Sequence, residues 1–164
     1  KTRRSVRKYK PDMIPQDVLD RIILAGTYSA TGRNLQSPII IAVTNKEMRD
    51  KILDEQKDRR LAEGFDPFYG APVILIVLAD KSCPTYIYDG SLVMGNLMLA
   101  AHNEGVGSCW IHRARKNLSP KGQEDSPQPW HRGEYEGIGH CALGYTEVNI
   151  PRSREKDNWV YYIK

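Results

Sequence analysis

The sequence predicts one domain in which helices alternate with strands buried on both faces, and three observations carry that expectation. Two continuous apolar runs rich in β-branched residues, Ile39-Ile40-Ile41-Ala42-Val43 and Val73-Ile74-Leu75-Ile76-Val77-Leu78-Ala79, have the composition of central strands covered on two sides. Segments with helical spacing lie before, between and after them. The chain of 164 residues is 40% hydrophobic and 27% charged, enough to form an ordinary core without disulfide support, so residues 1–164 are expected to fold as a single domain.

The chain opens on charge. Six of the first ten residues are basic (Lys1, Arg3, Arg4, Arg7, Lys8 and Lys10), and Arg3-Arg4-Ser5-Val6-Arg7-Lys8-Tyr9 reads as an anion grip. The planar arginine fork fits phosphate bidentately, and a serine hydroxyl completes the shell. A solvated basic tail is the plain alternative. Ser5, Val6 and Tyr9 interrupt the charges, and Pro11 with a helix signature follows at once, so the run abuts folded protein. The whole chain carries 24 basic and 20 acidic residues, a net +4; the first ten hold six basic and no acidic ones, leaving −2 over the other 154. A nucleic-acid binder spreads positive charge over a face, because affinity grows with the phosphates neutralised. This body has no such excess, and no nucleic-acid partner is expected.

A first helix is expected from about Pro15 to Gly26 or Thr27. Pro15 suits a first turn, Asp17 sits near the positive end of the dipole, and Val18, Leu19, Ile22 and Ile23 form one apolar stripe. Tyr28 to Pro38 is small and polar, which is loop chemistry and a natural ligand wall. The two apolar strands follow, separated by a polar helix-favouring stretch from Lys46 to Arg60 with Met48, Ile52 and Leu53 on one side. Tyr86 to Glu104 is a long helix, apolar nearly all round. Such a helix must be covered on most sides, and Gly90, Ser91 and Gly95 allow close helix contact, so a homodimer is expected. His102, on that helix, reads as a hydrogen-bonded structural histidine. Val106–Ile111 and Gly137–Leu143 are two further strands, each with glycines that admit close neighbours. Arg113 to Glu134 is charged and proline-rich, hence irregular. The aromatic end Trp159-Val160-Tyr161-Tyr162-Ile163 is expected to pack as an extra strand or on a second subunit.

Four polar features are candidates for one site: Arg3 to Arg7, Ser29 to Gln36, the strand end Ile111 to Arg113, and Arg152 with Arg154. Two arginine groups near the chain ends suit a double grip on one dianion such as a phosphate monoester, or are unrelated exposed pairs. Neither GxGxxG after a strand nor GxxxxGK[ST] occurs. Cys109 and His112, with His140-Cys141, have the residue types of a zinc site, but on a strand Cys109 and His112 point to opposite faces and neither cysteine belongs to a CxxC pair, so no metal is expected. Cys109 and Cys141 sit in apolar strand contexts, as small core residues do. No apolar stretch approaches the ~18 residues that span a bilayer. Nothing at the start resembles a signal peptide, and three cysteines at unrelated spacings fit reduced thiols, so the expected compartment is the cytoplasm, without a membrane partner.

Taken in order, Arg3-Arg4-Ser5-Val6-Arg7-Lys8-Tyr9, the Ser-Ala-Thr-Gly-Arg-Asn-Leu-Gln-Ser-Pro loop, Phe68-Tyr69-Gly70-Ala71-Pro72-Val73, Gly107-Ser108-Cys109-Trp110-Ile111, and Gly137-Ile138-Gly139-His140 through Leu143-Gly144-Tyr145 resemble the FMN-dependent nitroreductase family over nearly the whole chain. The resemblance implies an α+β fold with a central mixed sheet flanked by helices. It further implies a homodimer with FMN at the interface and a C-terminal segment extending onto the other subunit. By the same resemblance Arg3, Arg4, Ser5 and Arg7 meet the flavin phosphate and pyrimidine edge, with Arg152 and Arg154 joining at the phosphate. Thr31, Gly32 and Asn34 reach the flavin from the other subunit, and Ile111, His112 and Arg113 lie near its N5. The implied activity is ping-pong: hydride passes from NADH or NADPH to flavin N5, and a nitro compound, quinone or related conjugated acceptor is reduced at the same face. A flavin-binding or storage protein without turnover is the alternative. No catalytic side chain is implied. The sequence departs from the family at Ala30, where proline is common, and over residues 116–130, where proline-rich sequence replaces a usually helical segment.

Overall fold

A computed structural model of the chain describes residues 2–55, 64–112, 134–149, 151 and 159–163. Three helices and four strands follow one another as α1 (Gln16–Thr27), β1 (Pro38–Val43), α2 (Lys46–Glu55), β2 (Val73–Asp80), α3 (Tyr86–Asn103), β3 (Gly107–Ile111) and β4 (Tyr135–Gly144). One turn of 3-10 helix, Gly32–Asn34, interrupts the polar loop after α1. Arg113, Arg152, Arg154, the segment 116–130 and residues 56–60 of the stretch from Lys46 to Arg60 lie outside the described residues.

The strands form one sheet in the order β1-β2-β4-β3, and every pairing is antiparallel. The parallel component that makes the sheet mixed is a single bridge between Ser5 and Ser108, where the basic run lies beside β3. β2 takes a central place, with Val73 to Ala79 all at most 4% exposed. Burying an aliphatic side chain stabilises by about 1.5–3 kcal/mol over leaving it in water, so seven apolar residues in succession are best served between two covered faces. On one face Val73, Leu75, Val77 and Cys141 pack with Leu19, Ile22 and Leu97 of α1 and α3. On the other, Ile74, Ile76, Leu78, Cys109 and Ala142 pack with Phe68 and Ala71.

β1 departs from expectation. It is an edge strand, half exposed along Pro38 to Ile41, not a central one. Its composition reports the layers above and below: Ile40 packs against the α1/α3 side, Ile39 and Ile41 against the other. Composition carries no information about how many hydrogen-bonded neighbours a strand has. Gly26 lets α1 close on α3 and β1, since a Cβ there would come 2.7 Å from Leu97 Cδ2 and 3.0 Å from Ile40 Cδ1.

α3 is covered along Asp89, Gly90, Val93, Met94, Leu97 and Ala101. Ile87, Tyr88, Leu92 and Leu99 remain exposed, so the all-round apolar helix presents an uncovered face in the single chain. His102 is hydrogen-bonded as expected, its Nε2 lying 2.7 Å from Thr2 Oγ1, though it sits in the exposed last turn of α3. The C-terminal Trp159 to Ile163 forms no strand within this chain, and its side chains are exposed. Among the described residues no helix is long and apolar enough to cross a membrane.

Candidate functional site

The basic run is fixed to the sheet by its backbone. Val6 donates its N–H to Ser108 O at 2.9 Å, and Lys10 donates to Tyr145 O at 2.8 Å. The buried side chain of Val6 fills the space over Gly107, where a Cβ would meet Val6 Cγ2 at 2.8 Å. The run is therefore part of the folded body, which removes the solvated tail as a reading.

The arginines divide. Arg4 folds back to its own strand, with Nη1 donating to Arg3 O at 2.6 Å and Nε donating to Pro151 O at 3.1 Å. That second bond brings the chain just before Arg152 to the basic run. Arg3 differs: its Nη1 is buried and has no hydrogen-bond partner among the described residues. A buried guanidinium donor left unmade costs about 1–3 kcal/mol or more, so its retention fits a site built for an anion. The Cys109 thiol lies beneath the same group. Burial raises its pKa, while the positive charge of Arg7, a hydrogen bond with Ser5 and the charge of Arg3 pull the other way. Arg3, Ser5 and Arg7 all act on the Cys109 thiol of β3, so the three lie on the same side of the run. The residues fit a phosphate there.

A second set of groups comes from the motifs quoted above, without having been assigned a role. Tyr9 donates its hydroxyl to Ala142 O at 3.1 Å, and burial pushes its phenol pKa up. His140 is fully buried on β4, edge-on to Phe68 with ring centroids 5.3 Å apart, and neither ring nitrogen has a hydrogen-bond partner among the described residues. Burial lowers its pKa from 6.5 to about 4, so it is neutral. The Phe68 loop is held by Arg49, which pairs with Asp66 and donates Nε to Ala71 O at 2.9 Å. Asp66 in turn accepts the N–H groups of Phe68 and Gly70.

The second candidate feature, Thr31 to Gln36, docks on the first turn of α3. Gly32 donates its N–H to Asp89 Oδ1 at 3.0 Å, and Thr85 donates its hydroxyl to Asp89 Oδ2 at 2.9 Å. A Cβ on Gly32 would overlap the Thr85 hydroxyl, so close approach requires glycine. Gly32 spends its donor on Asp89, whereas Thr31 is half-buried and Asn34 exposed. Asp89 itself escaped the sequence reading; an acidic residue in the first turn of an otherwise apolar helix was the available signal. For His140, on a strand buried on both faces, no sequence signal exists.

Within one chain the two features are far apart. The basic run meets α3 at His102 and the turn meets it at Asp89, so about 20 Å of helix separates them at 1.5 Å per residue. Ile111, buried at the end of β3, and His112, exposed just beyond it, lie nearer the run through the same strand.

Comparison with known proteins puts these features in a family. The model of the nitroreductase family matches residues 1–117. A protein of Methanothermobacter thermautotrophicus, named provisionally as an NADH dehydrogenase/NAD(P)H nitroreductase, is 32% identical over 114 residues, 67% of this chain and 56% of that protein. A protein of Archaeoglobus fulgidus with the same provisional name is 28% identical over 115 residues, covering 67% of this chain and 63% of its own length. The match therefore spans less than two thirds of either relative. Among solved structures, a nitroreductase with bound FMN from Bacteroides fragilis superposes with a TM-score of 0.83 at 24% identity, covering 99% of this chain and 95% of that one. An FMN-dependent nitroreductase from Clostridium difficile gives 0.84 at 24% identity, with the same coverage. These structural likenesses establish the fold, and with the family model spanning most of the sequence, the chain belongs to the nitroreductase family.

Proposed function

We propose that this protein is an FMN-dependent oxidoreductase that takes reducing equivalents from NADH or NADPH and passes them to a small conjugated acceptor such as a nitro compound or quinone. The observation that carries the reading is the buried Arg3 Nη1, without a hydrogen-bond partner among the described residues, on the same side of the run as Ser5 and Arg7. Family membership and the FMN named for the similar nitroreductases of B. fragilis and C. difficile support it.

Bound FMN would supply the two-electron chemistry, accepting hydride from a nicotinamide and returning it to an acceptor. The chain's own residues do the rest. Arg3, Ser5 and Arg7 hold the phosphate and the polar ring edge, and Arg4 ties Pro151 to the run; the family resemblance assigns Arg152 and Arg154 to the same phosphate. Donors beside the ring stabilise charge that develops on it during reduction. Ile111 and His112, at the end of β3, are assigned by the same resemblance to the redox edge of the ring, together with Arg113.

The working unit is a homodimer. Because the run and the turn emerge at opposite ends of α3, Thr31 and Asn34 serve the flavin held by a second copy's arginines. The exposed Ile87, Tyr88, Leu92 and Leu99 on α3 give that copy an apolar seat. The exposed apolar end, Val160 to Ile163, fits a strap over it, and β1 offers an edge with a hydrogen-bonded neighbour on one side only among the described residues.

Oxygen-free addition of NADH or NADPH to FMN-loaded protein tests the reading. Rapid bleaching of the visible flavin band, restored by a quinone or nitroaromatic, is the expected result. A band that persists with both nucleotides would mark a flavin-storage protein instead. Failure of the protein to bind FMN at all would overturn the proposal.

A further inference from the structure

Asp89 is a carboxylate buried to 3% exposure on a helix whose other covered residues are apolar or glycine. A buried carboxylate is tolerated only when its oxygens are occupied. Here both are, by the Gly32 N–H at 3.0 Å and the Thr85 hydroxyl at 2.9 Å, and the first turn of α3 adds its positive dipole end.

The segment it holds is unusual. Arg33 (φ 53°), Asn34 (φ 57°) and Gln36 (φ 49°) are left-handed non-glycine residues, three of the four found among the described residues. Side chains disfavour that region, so such a cluster persists only where its surroundings over-determine it. Thr31 helps by accepting the Gln36 N–H on its hydroxyl at 3.1 Å, and the Asn34 and Leu35 amides close the turn at 3.1 Å each. Those bonds lie within the turn. The bond from Gly32 to Asp89 fastens the turn to the body, at the helix end that also carries the exposed Ile87, Tyr88 and Leu92.

We infer that Asp89 is a positioning residue for the flavin site: through Gly32 it holds the 31–36 turn in its left-handed form, with Asn34 presented beside the apolar face of α3, so that the turn is preorganised for the FMN of a second copy. This inference rests on the FMN reading above. Asp89 does not touch the cofactor. Its role is to remove the ordering cost that a loose turn would otherwise add to binding.

The experiment compares wild type, Asp89→Asn, Asp89→Ala and Gly32→Ala, each stripped of flavin and titrated with FMN by fluorescence quenching. Hydrogen exchange of the 29–37 segment is followed in the flavin-free proteins. For Asp89→Ala the expected result is faster exchange in that segment and an FMN Kd raised about ten-fold, the scale of one charged hydrogen bond. Asp89→Asn keeps an oxygen for the Gly32 N–H and should recover part of both effects. Gly32→Ala, which breaks the same contact from the other side, should reproduce them, and it carries the test with Asp89→Asn if the alanine variant does not fold. Arg3→Ala should weaken FMN binding without altering exchange at the turn. Unchanged exchange, or faster exchange with FMN affinity within about two-fold of wild type, would overturn the role of Asp89 while leaving the FMN reading intact. Wild type that fails to quench FMN would overturn both.

Discussion

Replacing Arg3 by alanine should move two quantities in opposite directions. With a phosphate in place, the Arg3 guanidinium makes a charged hydrogen bond worth about 1.5–3 kcal/mol, so its loss should raise the FMN Kd by roughly 10- to 150-fold, at about 1.4 kcal/mol per decade. In the flavin-free protein the same Nη1 is a buried donor without a partner among the described residues, and such a group costs about 1–3 kcal/mol. Removing it should therefore leave the flavin-free protein as stable as wild type or slightly more so, the gain being offset by lost contacts of the arginine stem. Fluorescence titration with FMN and thermal unfolding with and without FMN read both quantities on one preparation. Arg3→Lys, which keeps the charge without the planar fork, should fall between. The reasoning fails if Arg3→Ala binds FMN within about two-fold of wild type, or if it melts several degrees lower without flavin.

Two other predictions concern the body of the protein. Burial holds the His140 pKa near 4 against 6.5 unfolded, so between those values the unfolded chain binds the extra proton. Stability from this residue is full above pH 6.5 and falls with acidity down to about pH 4, by on the order of 3 kcal/mol at 1.36 kcal/mol per unit. Urea midpoints over that range should show the slope in wild type and lose that share in His140→Phe; equal slopes would refute it. Leu92→Glu places a charge on the exposed face of α3, where it costs the isolated chain little. Sedimentation should show a shift from dimer to monomer together with weakened FMN retention, and an unchanged dimer would remove α3 from the interface.

The parts legible in the sequence were those decided by local chemistry. β2 announced itself through seven successive apolar residues, and α1 through Leu19, Ile22 and the stop near Gly26. The run from Arg3 to Arg7 was recognisable because arginine and serine have few reasons to cluster. Other features depend on contacts distant in sequence. Asp89 acquires its meaning from Gly32, 57 residues earlier, and no pattern within α3 foretells that bond. His140 looks like any strand residue until Phe68 and the second core layer close over it. His102 has the hydrogen bond expected of it, but its partner is Thr2, 100 residues away, and the pair is exposed.

The placement of Arg3 and Asn34 at opposite ends of one helix has a genetic consequence. If pockets are assembled across two copies as proposed, every pocket borrows its grip from one chain and its turn from the other. A chain defective only at Arg3 and a chain defective only at Asn34 each ruin both pockets when paired with themselves. Paired with each other, they gather both defects into one pocket and leave the second whole, so two inactive alleles would complement.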